Sequence, residues 1–412
     1  MLAVTNIKMI PSTPHSSCFF RYVCGSAPMA RRDGSVAAQT SSVPSTVSPP
    51  ATAISSQSQD RASPPLENAR ISADPHTYLK KQLLWGVLGI ILMFVTASID
   101  YRRYRTWAPA IYAAALLLLL AVLSPAGQRV NGAKSWIALP GGFQIEPSEF
   151  AKIGLIVGTA YILSRRRLEP MRPRRAGRPR LRDVALAVLA AAPLIILVQR
   201  EPALGVMLVL VVTLAGMVVL SGIRLYWVAS LAAVAAAGVY AVSRMHLLKG
   251  YQLTRLTAFL HPGSDLAGAG YNGLQAKIAV GSGGMFGKGL FHGSFTGGNF
   301  VPSVQTDVIF TVAGEQLGFV GCAVIVGLLT VVVFRAIRIA AVADDMFGML
   351  VASGVAIWFG FQTFVNVGMT IGIMPITGLP LPFISYGGSA IFADMIAVGL
   401  LLSVRRHHSI FE

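Results

Sequence analysis

Four ionisable residues in apolar or loop surroundings could support chemistry. Glu149 and Lys152 lie three residues apart in an apolar stretch, so they share one helix face and can pair. The pair is either a salt bridge that pins two helices or a charged floor beneath a polar substrate. Asp307 begins another apolar stretch, where a carboxylate could cap a helix. Arg255 lies in a long loop, and an arginine there binds an anion such as phosphate, or nothing.

The composition excludes the water-soluble enzyme classes. The chain has 412 residues, 54% of them hydrophobic and 12% charged. The formal charge of +17 would suggest nucleic acid in a soluble protein. Here the basic residues fall in short loops between apolar runs, as they do on the cytoplasmic side of a membrane, so no nucleic-acid partner is expected. Three cysteines form neither a disulfide framework nor a metal set.

Long apolar stretches predict an all-α, polytopic integral membrane helix bundle with about nine transmembrane helices in the plasma membrane. A Ser/Thr/Pro-rich tail, predicted to be disordered, occupies residues 1–75, and the transmembrane domain occupies 76–412 with an extracellular loop at 244–306. The predicted spans are 82–99, 107–123, 148–164, 184–199, 203–221, 223–243, 307–334, 347–367 and 386–404.

Basic loops predict the orientation of these helices. The segment Ser164–Asp183 contains nine arginines and should be cytoplasmic. The outer side then receives 124–147, 200–202, 244–306 and 368–385. Nine crossings with a cytoplasmic C-terminus would put the N-terminus outside.

Two glycine-rich segments lie on this outer side. Gly268–Gly273 formally matches G-x-G-x-x-G, but no strand precedes it, so we do not expect a dinucleotide site. Glycines there are better explained by short helices packed tightly on the bundle. The segment Met374–Ser389 concentrates Pro and Gly, cannot form an ordinary helix, and should be buried in protein or line a cavity.

Four segments resemble the SEDS family of shape, elongation, division and sporulation proteins. They are NGAKSWIALPGGFQIEPSEFAKI at 131–153, YQLTRLTAFLHPGSDLAGAGYNGLQAKIAVGSGGMFGKGL at 251–290, VPSVQTDVIFTVAGEQLGFVG at 301–321 and GIMPITGLPLPFISYGGSA at 372–390. Within the family, MPITGLPLPF is closer to the RodA group than to the FtsW group. The resemblance implies a peptidoglycan glycosyltransferase that polymerises lipid II on the outer face of the membrane, beside a class B penicillin-binding transpeptidase.

The resemblance also implies roles for individual residues. Asp307 matches the family's essential carboxylate and is predicted to take the proton from the acceptor sugar hydroxyl. Arg255, with Lys152 or Lys277, is predicted to hold the diphosphate of the donor. A divalent cation, Mg²⁺ or Mn²⁺, could share that task, although the sequence shows no metal-ligand cluster. The other predicted substrate-binding residues in the matching segments are Glu149, Ser385 and Tyr386.

Several positions depart from the family pattern. Gln305 stands where His is frequent, Gln316 where Glu is usual, Ala203 where Asp is usual and Ser135 where many members have Arg. The family has ten helices and a cytoplasmic N-terminus, whereas a tail stands here in place of the first helix. We expect a wrongly assigned start, because losing a packing helix would expose its neighbours. A divergent nine-helix member is the alternative.

Three other functions stay open on the sequence. A flippase for lipid-linked precursors would suit the Glu149–Lys152 pair and the broken helices. A non-catalytic scaffold for the transpeptidase would suit the substituted motif positions. A division role instead of elongation would use the same motifs.

Overall fold

The structure, a computed structural model, describes residues 75–125, 127–130, 133–139, 143–165, 181–201, 203–223, 259, 269–294 and 306–408. The predicted tail at 1–75, except Pro75, lies outside these residues. The described helices are α1 (Pro75–Ser98), α2 (Tyr101–Leu123), α3 (Pro147–Ser164), α4 (Leu181–Arg200), α5 (Leu204–Leu220), α6 (Ala269–Ser282), α7 (Ile309–Val342), α8 (Met346–Ile371) and α9 (Gly388–His408). The strands are β1 (Gly127–Val130), β2 (Ala133–Leu139) and β3 (Phe143–Ile145).

The helices confirm the predicted class of polytopic membrane bundle. Six of those in the described ranges are long and apolar enough to cross a membrane, namely α1, α2, α4, α7, α8 and α9. The helix α5 is apolar but has only 17 residues, and α3 carries Glu149 and Lys152. Eight of the nine predicted stretches coincide with helices. The remaining stretch, 223–243, lies outside the described residues except for Ile223.

The helices α3 and α8 form the centre of the bundle. Nearly every side chain of α3 is buried, and α8 contacts α3, α5, α6, α7 and α9. Trp358 and Phe359 of α8 are fully buried in the same core as Ile156 of α3. By contrast, α1 and α7 expose large apolar side chains such as Phe94 and Leu328, which is what a lipid-facing surface requires.

A three-stranded antiparallel sheet between α2 and α3 was not predicted. The strand β2 pairs with β1, Gln128 opposite Trp136, and with β3, Ala138 opposite Gln144. The signal was present, because Asn131-Gly132 separates β1 from β2 and a two-residue Asn-Gly connection favours a hairpin. A search for apolar stretches of membrane length does not detect strands this short.

The helix α7 bends where the glycine-rich segment after α6 contacts it. Gly318 has φ 68°, a backbone conformation that favours glycine, and it interrupts the helical dihedral angles of α7. The Phe319 amide donates to the Gly284 carbonyl, at 2.9 Å, and the Lys288 amide donates to the Glu315 carbonyl, at 3.0 Å. The Lys288 ammonium also pairs with the Glu315 carboxylate at 2.9 Å. These contacts fix the outer end of α7.

Candidate active site

Asp307 lies directly before the outer end of α7. Val308 occupies the N-cap position of this helix and makes no side-chain capping bond. Asp307 thus lies one residue before the N-cap, and its interpretation as a cap stays a prediction. The Asp307 side chain is partly exposed, so its carboxylate can reach a molecule outside the bundle.

Two buried polar side chains hold the backbone around Asp307. The Asn366 amide of α8 donates to the Asp307 carbonyl at 2.7 Å and to the Leu379 carbonyl at 2.6 Å. The Ser385 hydroxyl donates to the Thr306 carbonyl at 2.6 Å and accepts from the Leu381 amide at 2.7 Å. The start of α7 is thereby fastened to α8 and to the segment 372–387. Such support fixes the position of a reactive group before substrate arrives.

Gly378 lies against the Asp307 carboxylate. A Cβ atom built at Gly378 would be 3.4 Å from the Asp307 Oδ2 atom, and the backbone there has φ 72°. A residue with a Cβ atom would therefore be strained by the positive φ, and its Cβ would be in van der Waals contact with the carboxylate. The glycine leaves room beside the predicted base.

The predicted pair of Glu149 and Lys152 forms. The two side chains are each 1% exposed, with 2.7 Å between Lys152 Nζ and Glu149 Oε2. The ammonium also donates to Gln362 Oε1 at 3.0 Å and lies 4.6 Å from the centre of the Trp358 ring. The pair therefore joins α3 to α8, in agreement with the interpretation as a salt bridge that pins two helices. Its role beneath a substrate stays a prediction.

Residues 374–387 of the predicted segment Met374–Ser389 are not helical, as predicted, whereas its last two residues begin α9. The Gln362 amide donates to the Pro380 carbonyl at 2.7 Å, which links this segment to the Lys152 network. Phe383 has φ 64°, and its amide donates to Asp394 Oδ2 at 2.9 Å. Buried side chains of α8 and α9 thus supply the backbone hydrogen bonds that an irregular segment at membrane depth requires.

Ser385 and Tyr386 lie at the end of this segment. Ser385 is 2% exposed, and its hydroxyl is used in the contacts described above. The Tyr386 ring is partly exposed and packs on Trp85 of α1, with 4.9 Å between ring centres. The geometry of Ser385 suits positioning of the Asp307 backbone, while its predicted contact with substrate stays a prediction.

Of the two remaining cationic residues predicted to hold the diphosphate, the structure describes Lys277 but not Arg255. The side chain of Lys277 is exposed on α6 and lies across Gly372 at the outer end of α8. Nearby on α6, Ala279 packs with Val308, the residue after Asp307. Helix α6 therefore contacts the start of α7 through Ala279. Arg255 lies outside the described residues.

Glu146 and Glu201 add carboxyl groups on the outer side. Burial of Glu146, followed by the nearby Glu149 carboxylate, raises the pKa of Glu146 to about 8. The Asp307 carboxylate contributes to the same increase, so both groups share one electrostatic neighbourhood. Burial, followed by the Glu146 carboxylate, raises the pKa of Glu201 to about 9. Glu201 is fully buried, and neither of its carboxyl oxygens has a hydrogen-bond partner among the described residues.

Three of the departures from the family pattern have visible local consequences. Ala203 occupies the N-cap of α5 and cannot cap it, a task that an aspartate performs well. The Gln316 amide oxygen accepts from the Phe291 amide at 3.2 Å, so the substitution keeps an acceptor. The Ser135 hydroxyl donates to the Glu201 carbonyl at 3.0 Å. Gln305 lies outside the described residues.

Sequence reasoning missed several polar residues of the site. Gln362 and Asn366 lie four residues apart in an otherwise apolar helix, and Asp394 is an acid within another. Polar groups at membrane depth are costly, so this spacing was a usable signal. Within the described ranges, no group of three or more His, Cys, Asp or Glu residues is arranged to hold a metal ion.

Comparison with known proteins gives the family. Residues 62–410 match the cell cycle protein family of FtsW, RodA and SpoVE. The chain is 38% identical to the probable peptidoglycan glycosyltransferase FtsW of Trichlorobacter lovleyi, over 79% of this chain and 83% of that protein. It is 37% identical to the stage V sporulation protein E of Bacillus subtilis, over 81% of this chain and 88% of that protein.

A solved structure shows the same similarity. One chain of a peptidoglycan synthase complex, described for its coordination of polymerization and crosslinking, superposes with a TM-score of 0.68 and 31% identity. The match covers 82% of this chain and 92% of that one. The chain described here is a multi-pass membrane protein and belongs to the FtsW, RodA and SpoVE family.

Proposed function

We propose that the protein is a peptidoglycan glycosyltransferase that polymerises lipid II at the outer face of the plasma membrane. The observation that carries this proposal is the support given to Asp307. Its backbone is held by Asn366, the preceding carbonyl is held by Ser385, and Gly378 leaves space beside its carboxylate. Support also comes from the relatives, because the FtsW protein of Trichlorobacter lovleyi is named for this activity.

In the proposed reaction, Asp307 takes the proton from the acceptor sugar hydroxyl. The oxygen then bonds to the anomeric carbon of the donor as the bond to the diphosphate breaks. Cationic groups stabilise the leaving diphosphate, and Arg255 and Lys277 are our candidates. Lys152 is buried, so it would contact the diphosphate only if substrate binding separated α3 from α8. Otherwise its role is to hold these two helices together.

A divalent cation, Mg²⁺ or Mn²⁺, stays part of the proposal. Mg²⁺ commonly binds through one or two carboxylates, water and substrate phosphates. Asp307 fits as a single protein carboxylate, with the diphosphate supplying further oxygens. Such an ion would add positive charge beside the leaving group. Removal of divalent ions with a chelator should then lower polymerisation, and Mg²⁺ or Mn²⁺ should restore it.

A class B penicillin-binding transpeptidase is the proposed partner. The similar chain in the peptidoglycan synthase complex supports this, because that complex coordinates polymerization and crosslinking. We favour elongation as the cellular role on the RodA-like segment 374–383. The two relatives named for FtsW and for sporulation differ by one percentage point in identity, so they do not choose between roles.

Labelled lipid II in proteoliposomes tests the proposal. The wild-type chain with its transpeptidase should form glycan strands, and Asp307→Ala should not. Movement of lipid II across the bilayer without strands would favour the flippase. Absence of both activities, with stimulation of the transpeptidase retained, would favour the scaffold.

A further inference from the structure

A cavity of ≈ 640 Å³ opens between α3 and α4 at the end of the bundle opposite Asp307. Basic loops predict that this end is cytoplasmic. The lining combines charged residues with a larger apolar surface. The lining residues are Ile162, Arg165, Arg182, Asp183, Leu186, Leu189 and Ala190.

The polar and apolar parts of this lining lie at different depths. Arg165 directly follows α3, Arg182 is the second residue of α4, and both side chains are exposed. From Arg182 to Ala190 the helix descends about 12 Å into the bilayer. Leu186 and Leu189, which are 47% and 69% exposed, lie along this path. The cavity is therefore cationic at the membrane surface and apolar below it.

The walls are held in place by contacts that do not use the cationic groups of the cavity. The Tyr112 hydroxyl of α2 donates to the Ala190 carbonyl at 2.6 Å. Arg105, also on α2, donates to the Ser164 carbonyl at 3.4 Å. Within the described part of the chain, these contacts join α2 to α3 and α4 and leave the guanidinium groups of Arg165 and Arg182 available.

One acidic residue belongs to the lining. Asp183 is 7% exposed in the first turn of α4, where a carboxylate interacts favourably with the helix dipole. Among the described residues the two arginines outnumber this carboxylate, so the described part of the lining carries a net positive charge. A ligand with one negative charge at the surface and an apolar chain below complements this arrangement.

We propose that this cavity binds an anionic glycerophospholipid of the cytoplasmic leaflet. The guanidinium groups of Arg165 and Arg182 bind the phosphate oxygens, for which their planar forks are suited. An acyl chain lies along Leu186 and Leu189. Basic pockets between transmembrane helices on the cytoplasmic side bind lipid head groups in this manner. The site is separate from the proposed catalytic centre and does not depend on the proposed function.

Lipid binding to the purified full chain tests this inference. Native mass spectrometry would measure the affinity for phosphatidylglycerol and for phosphatidylcholine added to the detergent-solubilised protein. The wild-type protein should prefer phosphatidylglycerol. The double variant Arg165→Gln/Arg182→Gln should bind phosphatidylglycerol roughly 30-fold more weakly, since each basic residue contributes about one kcal/mol.

Two further variants control for charge and for the cavity itself. Arg405→Gln/Arg406→Gln removes the same charge from two exposed residues at the end of α9, outside this cavity, and should change the affinity less than threefold. Leu189→Trp keeps the charge but fills the apolar part, and it should weaken lipid binding. Size-exclusion chromatography would establish that each variant is folded.

Three results would overturn the inference. Equal losses in the two double variants would mean diffuse attraction to the basic surface. Equal wild-type binding of both lipids would mean that the arginines do not select a charge. Displacement of the lipid by inorganic phosphate at similar concentration, with Leu189→Trp unaffected, would mean a simple anion site.

Discussion

The buried pair of Glu149 and Lys152 gives the sharpest prediction about stability. Lys152 is 1% exposed, and its ammonium contacts the Glu149 carboxylate, the Gln362 amide oxygen and the Trp358 ring. Among the described residues, Glu149→Gln would remove the carboxylate that lies within ion-pair distance of this buried ammonium. Loss of one partner of a buried pair costs about 3–5 kcal/mol, so we expect a loss of this size in the free energy of unfolding.

A double variant that replaces both charged side chains by apolar ones should behave differently. Methionine fills most of the volume of the lysine chain, and Gln362 keeps its hydrogen bond from the Trp358 indole, which is 2.6 Å long. With leucine at 149 in place of glutamine, Glu149→Leu/Lys152→Met makes both positions apolar. We therefore expect this double variant to be within about 1 kcal/mol of the wild type, because replacing a buried pair by apolar groups is often neutral.

Unfolding in mixed micelles, followed by tryptophan fluorescence, would measure these differences. A cost below about 1 kcal/mol for Glu149→Gln would refute the reasoning. So would a double variant as unstable as the single one. In a folded double variant, loss of polymerisation is the result that the substrate-binding prediction for this pair requires.

Three further predictions concern other parts of the outer side. Ala203→Asp should stabilise the protein by about 1 kcal/mol in the same unfolding assay, because it supplies the missing cap of α5. The pKa of Glu201 in the folded protein, about 9, exceeds the ordinary value of 4.5. The free energy of unfolding of the wild type should therefore fall as the pH rises from 4.5 to about 9. The same pH titration of Glu201→Gln should show a smaller fall. Gly378→Ala should reduce polymerisation at least tenfold while the chain stays folded, because alanine is strained at φ 72° and relief of that strain would shift the backbone that lies against the Asp307 carboxylate. A Gly378→Ala enzyme with wild-type activity would contradict this geometry.

The membrane helices were predictable because their apolar length is a strong signal. Eight predicted stretches correspond to helices, with ends displaced by at most eight residues, as between 307–334 and Ile309–Val342. The predicted span 307–334 ended early because basic residues were expected in cytoplasmic loops, and Arg335 directly follows this span. Arginine side chains near a helix end can extend to the membrane surface, so the helix need not stop there.

The ionisable residues of the site were predictable from the sequence, whereas most of the polar side chains that hold them in place were not. The spacing of Glu149 and Lys152 predicted their pairing, and Asp307 was singled out by its place before an apolar stretch and by the resemblance. The partners Gln362 and Asn366 were not identified, although their spacing in an apolar helix marked them as candidates. Which groups they contact depends on tertiary packing, which the spacing does not show. The role of Gly378 beside Asp307 likewise depends on a tertiary contact.

Polymerisation by Asp307→Asn tests the central claim most directly. Asparagine keeps the shape of the side chain but cannot accept a proton as a carboxylate does. Asp100→Asn is the matched control, because Asp100 caps α2 on the predicted cytoplasmic side and asparagine caps equally well. With lipid II and the transpeptidase, we predict a loss of about 10²-fold or more for Asp307→Asn and wild-type glycan strands for Asp100→Asn. Strand formation by a folded Asp307→Asn protein at the wild-type rate would contradict the proposed role of Asp307.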